Sequence, residues 1–183
     1  MRPLRHLLPC LLILAGSTHA HSLEQGGNLG AHEHGASQFD IILEGSALHI
    51  DWQGPAMNWL GFEHAPRTDE QKATVKNIEA VLAKPAAFLP WLVSAQCALT
   101  KHALESALLN DHDHDHDHDH DHEDMVVRYQ FNCKQPELLS TLDFAPLFER
   151  FTGTERLDIQ AISPAGQTGA QLTKTHSQLA LQP

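Results

Sequence analysis

The chain has 183 residues, with 12 Lys and Arg against 23 Asp and Glu, and 15 His; its net charge is −11 with histidine neutral. That balance speaks against nucleic acid or an anionic membrane as partner and favours cations.

The N-terminus carries Arg2 and Arg5, then an apolar run, Leu7 to Ala15, too short to span a bilayer as a stable helix. Thr18 and Ala20 stand at the −3 and −1 positions of a cut after Ala20, so residues 1–20 read as a secretory signal peptide. No Cys follows at the cut, which argues against a lipoprotein. Removing Arg2 and Arg5 leaves ten cations against 23 anions, a net −13 for the mature chain. Residues 21–183 are expected to form a single exported metal-binding domain, large enough for its own core and with no membrane insertion. Cys10 leaves with the signal. Cys97 and Cys133 remain, an even pair in an oxidising compartment. The simplest reading is one disulfide closing a 36-residue span, which contributes roughly 4 kcal/mol in the chain-entropy model. A thiolate metal pair is the competing reading, and no CxxC spacing supports it.

Residues 21–36 read as a loop rich in Gly and His. Phe39, Ile41 and Leu43 then alternate with polar neighbours, as do Leu48, Ile50 and Trp52. Gly45-Ser46 between them suits a two-residue type II′ hairpin turn. GPAMNWLGFEHAP follows as a structured loop. Thr68 with Gln71 forms a capping box for a helix whose stripe is Val75, Ile78, Val81 and Leu82, and Pro85 stops it. From Trp91 the period is two: Trp91, Val93, Ala95, Cys97 and Leu99 predict a strand, with a second short one near 103–109. Met125, Val127, Tyr129, Phe131 and Cys133 predict a third. A meander of these three brings Cys133 back toward Cys97. Phe144, Leu147, Phe148 and Phe151 have helical spacing. Leu157, Ile159 and Ala161 begin a last hairpin that turns at Pro164-Ala165-Gly166, and the tail after about Thr173 reads as loose. The expected class is α+β: mainly antiparallel strands, sandwich- or meander-like, with one or two helices.

Between the second and third of those strands lies DHDHDHDHDHDHED, residues 111–124. It has no core residue, so it is expected to be a disordered hairpin loop when free of ligand. Its eight carboxylates repel one another. His112, His114, His116, His118, His120 and His122 offer imidazole to zinc, nickel or copper, and the carboxylates can complete the shell or orient the rings. Many interchangeable ligand sets imply several ions at modest affinity, because ordering the loop costs entropy. A solvated acidic spacer needs no histidine. A tag is usually terminal and all-His.

Two quieter segments carry further ligands: His32-Glu33-His34-Gly35 and Gly61-Phe62-Glu63-His64. Both lie beside Gly or Pro in loops, where function concentrates. The bland alternative is that these histidines cap turns. His49, His102 and His176 read as structural. No HExxH, GxSxG or P-loop occurs, so no enzyme is expected, although a zinc-dependent hydrolase using Glu63 or Glu33 as general base is conceivable. Copper or nickel buffering is the other alternative, since a cut after Ala20 would leave His21 with a terminal amine, a good Cu(II) chelator.

HEHG near the mature N-terminus, GFEHAP before a helix, a Cys before the His/Asp-rich insertion, FNC after it and the closing LFERF…LDIQAISPAGQTGAQLT resemble the ZrgA-type periplasmic zinc-uptake proteins. The resemblance spans nearly the whole mature chain. It implies a Gram-negative periplasmic zinc-binding protein that serves zinc acquisition with an ABC-type importer. Carried onto this chain, it implies His32, His34, Glu63, His64 and the histidines of 111–124 as zinc ligands.

Overall fold

The computed structural model describes residues 33–109 and 123–181. Strands β1 (Ala36–Glu44) and β2 (Ala47–Pro55) form the first hairpin. Its two-residue turn has Gly45 at φ 57° and Ser46 at negative φ, as a type II′ turn requires. Helix α1 (Ala56–Leu60) follows at once, then α2 (Asp69–Leu82). The capping box on α2 is complete: Gln71 N–H donates to Thr68 Oγ1 at 3.2 Å, and Thr68 N–H donates to Gln71 Oε1 at 3.2 Å. Val75, Ile78 and Leu82 form its buried stripe.

Next come α3 (Trp91–Ser94), β3 (Cys97–Glu105), β4 (Asp124–Cys133), β5 (Thr141–Asp143), α4 (Ala145–Arg150), β6 (Arg156–Ser163), β7 (Gly166–Thr173) and β8 (Gln178–Ala180). The main sheet has the order β3-β4-β2-β1-β6-β7, and β5 pairs with β8 in a separate ribbon. Every pairing in the sheet is antiparallel except β1 with β6. The α+β class holds.

The sheet is buried on one face. Phe39, Ile41, Leu48, Ile50, Trp52, Val127, Tyr129, Leu157 and Ile159 alternate into the core, as period two demands. The other face carries Gln38, Asp40, Asp51, Arg128 and Gln130. An aromatic cluster fills the centre: Trp52 lies 4.4 Å from Trp59 and 4.8 Å from Phe151 by ring centroids, and Phe39 meets Phe144 edge-on at 5.1 Å. The Tyr129 hydroxyl donates to Leu82 O at 2.8 Å, tying the end of α2 to the sheet. Burial pushes the Tyr129 phenol well above its ordinary value.

Four expectations need correction. The strand expected over Trp91–Leu99 begins only at Cys97. Pro90 sits at helical φ and starts the turn α3, which buries Trp91 and Leu92 and leaves Val93 65% exposed; Gln96 at φ 50° then redirects the chain into β3. Nor are there two strands before the Asp-His segment. One strand, β3, runs from Cys97 to Glu105 with an irregularity at Leu99/Lys101, and a 3₁₀ turn covers Ala107–Leu109. The disulfide therefore does not span a meander but joins directly opposed residues of adjacent strands, with Cα atoms 3.8 Å apart. The GPAMNWLGFEHAP loop contains α1. The tail is anchored: β8 pairs with β5, and Leu179 and Leu181 are buried.

No described helix is long and apolar enough to cross a membrane. Residues 1–20, His32 and His112–His122 lie outside the described residues.

Candidate metal centre

The register brings the ligand-bearing segments to one end of the sheet. Glu105, the last residue of β3, opposes Val126 near the start of β4. Asp124, the first residue of β4, opposes Pro55, the last of β2. Arg156 begins β6 beside Ala36, which begins β1. The turn before β1 holds His34 and Gly35, and the segment after β2 and α1 holds Glu63 and His64. Both described anchors of the Asp-His segment are at this end too. β1 and β4 flank β2, so their backbones run ~10 Å apart, two strand spacings. Glu123 O also accepts from Ala56 N–H at 2.8 Å, fixing the start of β4 to the start of α1.

Within this end, His34 Nε2 lies 3.0 Å from Glu63 Oε1. Glu63 is only 6% exposed, while His34 is 51% exposed. A buried carboxylate calls for a compensating charge or donor, and the His34 ring is the group that stands beside it. An imidazole nitrogen and a carboxylate oxygen on one tetrahedral zinc ion stand ~3.3 Å apart, from ligand distances of about 2.0–2.2 Å. The two are donor types that zinc takes, but 3.0 Å is equally an ion-pair distance, and a tetrahedral shell needs further ligands.

The turn that presents His34 is held by a residue the ligand motifs do not contain. Asn58, buried in α1, accepts from Gly35 N–H at 2.8 Å and donates to Ala36 O at 2.8 Å and to Ser37 Oγ at 3.3 Å. Gly35 O accepts from Glu155 N–H at 2.7 Å and Arg156 N–H at 2.9 Å. Gly35 has φ 85°, where an L side chain is strained, and a Cβ there would stand 3.3 Å from Glu155. Gly153 lets the chain before β6 lie against α1: a Cβ would sit 2.6 Å from Asn58 O. These residues carry no ligand chemistry, so a search for metal motifs passes over them. The one available signal is a lone Asn inside the otherwise apolar AMNWL.

His64 has a different setting. It is exposed, its ring stacks on Phe62 at 5.4 Å, and Nδ1 lies 2.9 Å from Ala65 O. Its Nε2 lies 3.5 Å from Gln71 Nε2 of the α2 capping box. With Nδ1–H donated to the carbonyl, Nε2 carries the lone pair and accepts from the Gln71 amide N–H. Glu33 is taken up by Arg156, whose Nη2 and Nη1 donate to its two oxygens at 2.8 and 3.3 Å. Arg156 also donates to Asp158, and these carboxylates, Glu33 first, raise the guanidinium further above its ordinary value. A carboxylate so paired is a poor general base. Among the described residues no three His, Cys, Asp or Glu side chains converge as a metal group. A cavity of about 350 Å³ lined by Leu43, Pro136, Leu139 and Leu181 lies at the opposite end of β1.

Among protein-family models, that described as ZrgA family zinc uptake protein matches residues 31–181. No curated protein matches the chain.

Proposed function

Since this chain belongs to the ZrgA family of zinc uptake proteins, we propose that it is a periplasmic zinc-capture protein with two unequal kinds of site. The family's role in zinc uptake is consistent with a place outside the cytoplasm, to which the basic-apolar-small pattern of residues 1–20 would deliver it. His34 and Glu63 hold one ion, with His32 supplying a further ligand. The histidines and carboxylates of 111–124 take up several more at lower affinity. Ions pass from that segment to the His34–Glu63 edge, or directly to an ABC-type importer.

One observation carries this reading: the His34–Glu63 pair and both anchors of the Asp-His segment share one end of one sheet. An ion leaving the segment has a short path to the pair. The buried position of Glu63 makes that pair the more preorganised, hence the tighter, of the two kinds of site.

Isothermal titration of the disulfide-bonded protein with Zn²⁺ tests it. The full chain should take several ions. Deleting 111–122, which keeps Glu123 and Asp124 at the start of β4, should leave one, and Glu63→Gln in that background should weaken it at least about tenfold. Unchanged stoichiometry after the deletion would end the capture idea. Unchanged residual affinity in the Glu63→Gln protein would end the folded site.

A further inference from the structure

The two outer strands of the main sheet are guarded very differently. The β3 edge carries Lys101, His102 and Glu105 and an irregularity in its register, devices that discourage strand addition. The β7 edge, GQTGAQLT, has no charge and no proline, and its register with β6 is unbroken over all eight residues.

The direction of its free groups follows from one contact. Thr173 N–H donates to His176 O at 3.0 Å, and His176 N–H donates to Thr173 O at 3.1 Å, so Thr173 turns its backbone groups away from β6. In an antiparallel ladder this orientation alternates. Gln171, Gly169 and Gln167 therefore also aim N–H and C=O outward, and among the described residues no backbone hydrogen bond engages them. The open stretch has a stop at each end. The Pro164-Ala165 turn bounds it before Gly166, and the Thr173–His176 turn bounds it after Leu172. Its midpoint is Gly169.

We propose that β7 is a self-association edge, pairing antiparallel with β7 of a second copy about a two-fold axis at Gly169. In that register every outward-facing residue meets another: Gln167 faces Gln171 of the second copy, Gly169 faces Gly169, and Gln171 faces Gln167. Three such pairs form about six backbone hydrogen bonds. The five-residue core, Gln-Thr-Gly-Ala-Gln, reads nearly the same in both directions, so it suits an isologous contact. Charge selects the same occupant. Two copies of a chain of net −11 repel, and a neutral strand is where they can approach at least cost. Half-buried Thr168 and Ala170 on the core side of β7 would be covered. The contact is small, so the dimer is a weak, concentration-dependent one.

Sedimentation equilibrium of the full mature chain, with chelator present so that a bridging metal ion cannot supply the link, reads the association. The wild type should shift from one to two copies with concentration. Gln167→Lys with Gln171→Lys sets like charges opposite each other twice and should abolish the shift. Gln167→Glu with Gln171→Lys sets each carboxylate opposite an ammonium and should restore it. Both variants place a lysine beside Asp158, which already accepts from Gln171 at 2.7 Å, so both tolerate the local setting. A wild type that stays monomeric, a double-lysine protein that still dimerises, or a failure of the Glu/Lys protein to recover would each overturn the proposal.

Discussion

Asn58→Ala should destabilise the protein by about 3 kcal/mol, because it strands two backbone groups at the turn that presents His34. Gly35 N–H loses its acceptor at 2.8 Å, and Ala36 O loses a donor at 2.8 Å. Leaving a buried backbone donor or acceptor unsatisfied costs about 1–3 kcal/mol each. Ser37 Oγ, at 3.3 Å, is the weakest of the three partners and adds little. Urea unfolding of the disulfide-bonded protein, followed by tryptophan fluorescence, reads the change. With a slope of about 2 kcal/mol/M, the midpoint should fall by roughly 1.5 M while the slope stays constant. Gln38→Ala, on the solvent face of β1, is the control and should move it little. A loss below about 0.5 kcal/mol for Asn58→Ala would mean that water replaces the amide and that the turn does not depend on it. The same variant should weaken the single zinc site left after deletion of 111–122, since His34 then loses its fixed approach to Glu63. Destabilisation without any change in that affinity would separate the clamp from the site.

Gly153→Ala should destabilise by about 1–3 kcal/mol, because its Cβ meets the Asn58 backbone at 2.6 Å and one of two main-chain segments must shift; a thermal midpoint equal to wild type would refute the close approach. Reducing the Cys97–Cys133 bridge, which spans 36 residues, should cost roughly 4 kcal/mol and lower the melting temperature by about 8–16 °C; calorimetry with and without reductant measures it, and C97S/C133S should match the reduced protein. Tyr129 is the sole tyrosine, so absorbance titration reads it directly. Its folded-state value is raised above the unfolded one, near ~10, so its contribution is complete below that pH and is lost as pH rises beyond it. Native protein should show no phenolate at pH values where the unfolded chain ionises, stability should fall above about pH 10, and Tyr129→Phe should lack that increment. Phenolate appearing near the ordinary value in folded protein would contradict the burial.

Local rules account for what was legible in the sequence. The Thr68–Gln71 capping box, the Val75–Ile78–Leu82 stripe, the Gly45-Ser46 turn and the alternation of β1, β2, β4 and β6 depend on neighbours within a few residues, and all appear where periodicity and turn chemistry put them. The ZrgA resemblance was read from HEHG, GFEH, the two cysteines and the Asp-His insertion in that order, and the family model matches residues 31–181. The Trp91–Leu99 reading failed because alternation over five residues cannot distinguish a strand from a helical turn followed by a strand; Pro90 and the positive φ of Gln96 decide it. The tail looked loose because three residues of β8 become a strand only against β5.

Sequence alone was enough for the donor inventory, the paired cysteines and the class of the fold, since each depends on composition or short-range pattern. Tertiary structure decided which donors meet. The parallel pairing of β1 with β6 and the crossing from β2 to β4 are contacts between residues far apart in the chain, and nothing local encodes them. Those pairings put His34, Glu63 and both anchors of the Asp-His segment at one end of the sheet, while the contacts of His64 with Phe62, Ala65 and Gln71 are local. The pairings also give Asn58, an unremarked residue in a short apolar helix, the task of holding the turn from which His34 reaches Glu63.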